Sequence, residues 1–179
     1  MKKIVQNGAP ILREIAKSVP EKLFGSAKLA RLIRDMTEAL DREPEGVALA
    51  APQLGAPYRL FIVRKDRTLP PAVVVKKGTP LPPPPPPELE VYINPEVVKT
   101  SRRRARADEG CLSVRDVYGT TKRHERVTIR ARREDGTKFQ RGAGGIMAQI
   151  FEHEIDHLNG ILFIDGAEHL IRVQHAAAA

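Results

Sequence analysis

The chain has 179 residues, enough for one domain with a real core, and its 41% hydrophobic and 29% charged residues exclude a disordered chain. No apolar run is long enough to span a bilayer, so a membrane role is not expected, and a single cysteine excludes an internal disulfide. The net charge of +8 sits in one stretch: between Lys99 and Arg141, 14 Lys and Arg face 6 Asp and Glu, and the remainder balances. The opening residues, Met1-Lys-Lys-Ile-Val, carry neither the apolar stretch nor the cleavage site of a secretory signal, so a cytoplasmic location is expected.

Residues 26–42 read as an amphipathic helix. Ser26 suits the N-cap, and Leu29, Leu32, Ile33, Met36 and Leu40 recur at three- and four-residue spacing before Pro44. A small-residue loop follows, Gly46-Val-Ala-Leu-Ala-Ala-Pro-Gln53, and then a strand over 58–63. A second strand, over 72–75, precedes a Pro-rich surface loop at about 76–88. The six consecutive prolines from Pro82 to Pro87 call for a stiff polyproline rod, read as a spacer in preference to a ligand for a binding module. Further strands are expected over 89–93 and 127–131, the latter before a turn at Glu134-Asp-Gly136. A final long helix should begin near Gly144 and reach Leu158, with Gly160 as its C-cap. Residues 161–164 suit a closing strand or a packed tail. Strands first and one late helix give an α+β class, with mixed or antiparallel strands around a central helix, in one domain over 1–179.

The basic segment admits two readings. It could face an acidic partner such as RNA or the ribosome surface. Equally, Arg126-Val-Thr-Ile-Arg-Ala-Arg132 alternates as any half-solvated strand does. Only 4% of residues are aromatic and no nucleic-acid motif appears, so sequence-specific readout of a nucleic acid is not expected.

The chemistry concentrates in His153-Glu154-Ile155-Asp156-His157, an H-E-x-x-H pentad inside the last helix. Residues four apart share a helix face, so His153 and His157 can point ring nitrogens at one metal ion, with Glu154 beside them to accept a proton from water. A catalytic metal site of this kind needs a third protein ligand. Cys111, in Glu109-Gly-Cys-Leu-Ser113, is one candidate, and Asp108, Glu109, His124 and His169 are others; spacing alone does not choose among them.

Three blocks together resemble the peptide deformylase family: the Gly46–Gln53 loop, the intact Glu109-Gly-Cys-Leu-Ser113 block, and the pentad continuing as Leu158-Asn-Gly160. Order and separation match as well, and Gly8-Ala-Pro-Ile-Leu-Arg13 looks like the family's opening segment, so the likeness runs from about residue 4 to 165. The resemblance implies that Cys111, His153 and His157 hold one divalent ion, Fe2+ natively with Zn2+, Ni2+ or Co2+ able to substitute. It further implies Glu154 as general base and then acid, with Gln53 and the Leu112 backbone N–H as oxyanion donors. The substrate would be the formyl group on the initiator methionine of nascent peptides, released as formate. The spacing of Ile146 and Ile150 ahead of the histidines suggests a methionine pocket with Val47, near Gly46, Ala48 and Gly110, although core packing would explain both isoleucines equally.

The chain departs from the family pattern at a few places. Ala48 stands at the block's second glycine, where a methyl group would crowd a substrate or forbid a positive φ. Glu152 replaces a glutamine, and Arg115-Asp116 replace a small or turn-forming pair. Two rival readings follow: a zinc endopeptidase whose third ligand is Glu168 or His169, and a deformylase-like binding protein without turnover.

Overall fold

The computed structural model describes residues 2–68 and 86–173; the expected strand over 72–75 and most of the proline run lie outside them. Among the described residues two α-helices, α1 (Ala27–Asp41) and α2 (Ile146–Leu158), accompany eight strands: β1 (Ala48–Ala50), β2 (Leu60–Arg64), β3 (Leu89–Thr100), β4 (Arg104–Cys111), β5 (Val114–His124), β6 (Arg126–Arg132), β7 (Lys138–Gly144) and β8 (Glu168–Arg172). They form a five-stranded sheet in the order β1-β2-β3-β6-β7 and a three-stranded sheet in the order β4-β5-β8. Every pairing between these strands is antiparallel. The class is α+β.

The large sheet is buried on both faces at its β1–β2 end, and β2 shows why. Its run Leu60-Phe-Ile-Val63 is wholly inaccessible. Alternation sends Phe61 and Val63 to the side of α2, with Tyr92, Ile129 and Phe151, and sends Leu60 and Ile62 to the side of α1, with Leu29, Ile33, Met36 and Leu40. A strand covered by a helix on each face loses the polar half of its pattern, which is why this segment reads as continuously apolar. The α1 expectation is met: Ser26 Oγ accepts from Leu29 N at 3.3 Å, and the predicted stripe is the face turned to the sheet. A third cluster, with Leu12, Val114, Leu162 and Phe163, lies under the smaller sheet and includes part-buried Cys111.

Several boundaries move. The expected loop at 46–53 is β1 followed by a 3-10 helix, Ala51–Leu54, because Ala48, Leu49 and Ala50 pair with Val63, Ile62 and Phe61. Gly144 belongs to β7, and α2 starts at Ile146 after Gly145 at φ 57°. Asn159 is the C-cap, and Gly160 follows it at φ 75°. A Cβ at Gly160 would lie 2.6 Å from the Arg13 carbonyl oxygen, so both the turn and the close approach require glycine. Residues 163–165 form a 3-10 helix where a strand was one expectation. The strand foreseen over 89–93 runs on to Thr100, bulged beyond Ile93 where it pairs with β6.

Candidate metal centre and active-site cleft

Helix α2 carries two stripes. Ala148, Phe151, Ile155 and Leu158 pack into the core beneath the large sheet. Ile146, Ile150, His153 and His157 form the other, which runs from solvent to interior: Ile146 is 48% exposed, Ile150 5%, and His157 only 1%. The pentad is therefore driven into the protein by its own helix, and the smaller sheet meets it there.

Cys111 ends β4 at a tight turn into β5, where the pairing register shifts and Cys111 faces Val114. This turn sets Cys111 Sγ 3.2 Å from His157 Nε2. The ligand atoms of Cys111, His153 and His157 all lie within 4.8 Å of one another, and among the described residues no other His, Cys, Asp or Glu cluster meets that criterion. A thiolate and two imidazoles at about 2.0–2.3 Å from a tetrahedral ion would stand roughly 3.5 Å apart, so these residues suit such an ion. Two buried atoms at the same place, Glu154 Oε2 and His157 Nδ1, have no hydrogen-bond partner among the described residues.

The remaining candidate ligands are occupied elsewhere. His124 Nδ1 and its backbone N–H meet the two oxygens of Glu152 at 2.6 and 2.7 Å, so Glu152 ties β5 to α2 and does not point to solvent. Asp108 accepts from Thr120. Glu168 and His169, the third ligands of the peptidase reading, sit on exposed β8, with Glu168 paired to Arg106 and Lys122. Glu109 is the residue whose part the sequence understates. Its carboxylate is 4% exposed and accepts from His153 Nδ1 (2.9 Å), Thr121 Oγ1 (2.8 Å), and Arg123 through Nε (2.6 Å) and Nη2 (2.9 Å). An acceptor on Nδ1 fixes the ring so that Nε2 faces the cluster.

Electrostatics follow from burial and these bonds. Burial opposes the ionised form of Glu109, but the hydrogen bonds from Arg123 and His153 prevail and hold its pKa at about 2. Burial likewise opposes charge on His153, yet bonds to Cys111 and Glu109 lift it well above the ordinary imidazole value. In His157 burial prevails, with the neighbouring His153 adding to it, and the ring is held well below that value. Glu154, 4% exposed, is pushed up to about 7 by burial. A carboxyl poised there can both take and give a proton near neutrality.

A cleft of about 570 Å³ opens onto this cluster. It is lined by Gly46, Val47, Ala48, Gln53, Gly110, Cys111, Leu112, Ile146, Ile150, His153 and Glu154 among others, so every proposed site residue lines it except His157, which is buried against Cys111. Gln53 is 1% exposed; its Oε1 accepts from Ala50 N at 2.8 Å, and its Nε2 reaches Ser113 Oγ at 3.1 Å and Cys111 Sγ at 3.7 Å. Ser113 and Arg123 are contributors that no periodicity announced. Ile150 serves cleft and core together, whereas Ile146 belongs to the rim. Ala48 lies in β1 at an ordinary negative φ with its methyl buried, so the concern about a positive φ does not arise.

Fold and site together define a hydrolase of the H-E-x-x-H type with a cysteine as the third candidate ligand. The chain belongs to the polypeptide deformylase family, whose model matches residues 1–172. A peptide deformylase of Carboxydothermus hydrogenoformans is 38% identical over 170 residues, covering 95% of each chain, and that of Natranaerobius thermophilus is 36% identical over 178 residues, covering 98% of each. Among solved structures, a Met-Ala-Ser-bound class I type b peptide deformylase from Acinetobacter baumannii superposes with a TM-score of 0.76 at 32% identity, covering 92% of this chain and 98% of that one. The plant deformylase PDF1B gives 0.78 at 30% identity, covering 94% and 81%. This chain is accordingly an enzyme that removes the N-formyl group from nascent polypeptides.

Proposed function

We propose that Cys111, His153 and His157 hold one divalent ion and that deformylation takes place in the cleft above them. The observation that carries this reading is the convergence of one thiol, two imidazoles, a buried carboxyl and a buried amide on one cavity. The ion, when bound, supplies a Lewis acid and brings the pKa of water from ~15.7 to ~7. Fe2+ is proposed as the native ion; the donor set suits Zn2+, Ni2+ or Co2+ as well. Glu154 takes a proton from the attacking water and returns it to the departing amine. Gln53 is aimed by its Oε1 bond to Ala50; an amide has two N–H groups, so one can rest on Ser113 while the other meets the formyl oxygen. The Leu112 backbone N–H is the second proposed donor, and each well-placed donor contributes about 3 kcal/mol as charge builds.

Gly46, Val47, Ala48, Gly110, Ile146 and Ile150 are proposed to receive the formylmethionyl end of the peptide, with formate and a free amine as products. The Met-Ala-Ser tripeptide carried by the Acinetobacter relative is a model for that end. The 1–179 chain is proposed to act as one catalytic domain in the cytoplasm. Docking to the ribosome is proposed to be weak. Arg103 and Arg106 beside and on the β4 edge are 85% and 67% exposed, with Glu125 and Glu168 near them, and other cations of the basic segment are spent internally: Arg115 on Glu43, Arg123 on Glu109 and Asp156, Arg132 on Glu21, Arg141 on Glu90. The test of the metal assignment is Cys111→Ala: metal content and formate release should fall together. Retention of metal with loss of turnover would remove Cys111 from the ligand set.

A further inference from the structure

One wall of the cleft is the turn Glu43–Gly46, which links the end of α1 to Val47 and β1 and is closed by Gly46 N donating to Glu43 O at 2.9 Å. Gly46 sits so tightly that a Cβ there would lie 2.9 Å from Leu40 Cδ1 and 3.0 Å from Leu112 Cδ1. The turn is therefore packed against the tips of the Leu40 and Leu112 side chains. What holds the turn comes from two arginines distant in sequence.

Arg115 clasps the Glu43 carboxylate at 2.6 and 3.2 Å, but its side chain is 51% exposed, and exposed pairs of this kind contribute little. Arg67 does something different. The two N–H groups of its Nη1 are shared among three backbone carbonyls, Leu40 O at 3.2 Å, Glu43 O at 2.9 Å and Gly46 O at 2.7 Å, and its Nη2 reaches Asp41 Oδ1 at 3.4 Å. The side chain is 21% exposed. One cationic group thus gathers the end of α1, where the helix dipole presents negative charge, and both ends of the turn. A backbone carbonyl has no rotamer to lose, so these bonds fix the position of the peptide chain itself.

We propose that Arg67 is a positioning residue for deformylation, setting where Gly46 and Val47 meet the peptide without touching it. This rests on the deformylase reading. The metal cluster stands on β4 and α2, away from Arg67's bonds, so its loss should appear in KM and leave the ion in place.

The test compares Arg67→Met, Arg67→Lys and Arg64→Met. Arg64 is the matched control, because among the described residues its guanidinium is bonded to Asp41 and Asp66 and not to the turn. Steady-state kinetics on formyl-Met-Ala-Ser, binding of the product Met-Ala-Ser, metal content and unfolding midpoint are measured on each holoenzyme. Arg67→Met is expected to raise KM and the product Kd about tenfold, the scale of one charge-assisted hydrogen bond, with kcat within about threefold and metal content unchanged. Arg67→Lys should fall between. Arg64→Met should lower the midpoint with KM unchanged. Equal KM increases in Arg64→Met and Arg67→Met, or a loss confined to kcat, would overturn the proposal. Product binding keeps the two readings apart: a parent that binds product without turnover contradicts the deformylase reading, while unchanged product affinity in Arg67→Met contradicts the role of Arg67.

Discussion

Replacing Glu109 by glutamine tests how far the proposed metal centre depends on a residue outside its proposed ligand set. The carboxylate is nearly inaccessible and accepts four hydrogen bonds, two of them from Arg123. Glutamine keeps the shape, but it removes the charge and aims an N–H group at a donor. Breaking a buried ion pair from one side costs about 3–5 kcal/mol. Arg123 keeps Asp156 at 2.6 Å, which places the expected loss near the lower end, about 3 kcal/mol. The His153 ring loses its charged acceptor at the same stroke, so affinity for the ion should fall ~10–100-fold. Urea unfolding of parent and variant at pH 7, each with and without excess Zn2+, separates the two effects. A Glu109→Gln protein within 1 kcal/mol of the parent and unchanged in metal affinity would refute this account of Glu109.

Other expectations follow from the same geometry. Gln53→Ala should lower kcat about 10²–10³-fold, as expected for an oxyanion donor, while retaining metal; unchanged kcat would leave Gln53 holding only its turn. Ile146→Ser, at the exposed rim, should raise KM for formyl-methionyl peptide with stability within about 0.5 kcal/mol, whereas Ile150→Ala should do so at a cost of about 2–4 kcal/mol because that side chain is also core. Outside the cleft lining, hydrogen bonds from Arg64 hold Asp66 at about 2, against burial, so its contribution is present above the ordinary carboxyl value of 3.8 and is lost as pH falls from there toward 2. Acid-unfolding curves of parent and Asp66→Asn should converge over that window; a constant offset would assign the effect elsewhere.

How much was legible in the sequence varies by the range of the interaction. Helix α1 and the pentad were readable because cap, periodicity and i, i+4 spacing are local properties, and the wholly apolar β2 was readable because two helices cover it. Strands β4 and β5 were missed. Charged and small residues make up most of them, and they are strands because they pair with each other and carry Cys111 to the helix, not because of burial patterning. A third ligand could not be chosen by spacing, and the tertiary meeting of β4 with α2 is what makes Cys111 the proposed one. The basic segment left two readings open for the opposite reason. A run of sequence shows a surplus of cations, but Glu21, Glu43, Glu90 and Asp156 reach four of them from elsewhere in the chain. Arg67 gave no signal at all, since its partners are backbone carbonyls 21 to 27 residues away.

The central claim, that this cleft deformylates with Glu154 as its acid and base, is tested most directly by formate release from formyl-Met-Ala-Ser. Parent and Glu154→Ala proteins would be purified without oxygen, loaded with Fe2+ or Ni2+, and matched for metal content. Turnover is expected in the parent, with a loss of at least about 10²-fold in the variant while its ion stays bound. Comparable turnover in both, or none in a fully loaded parent, would contradict it.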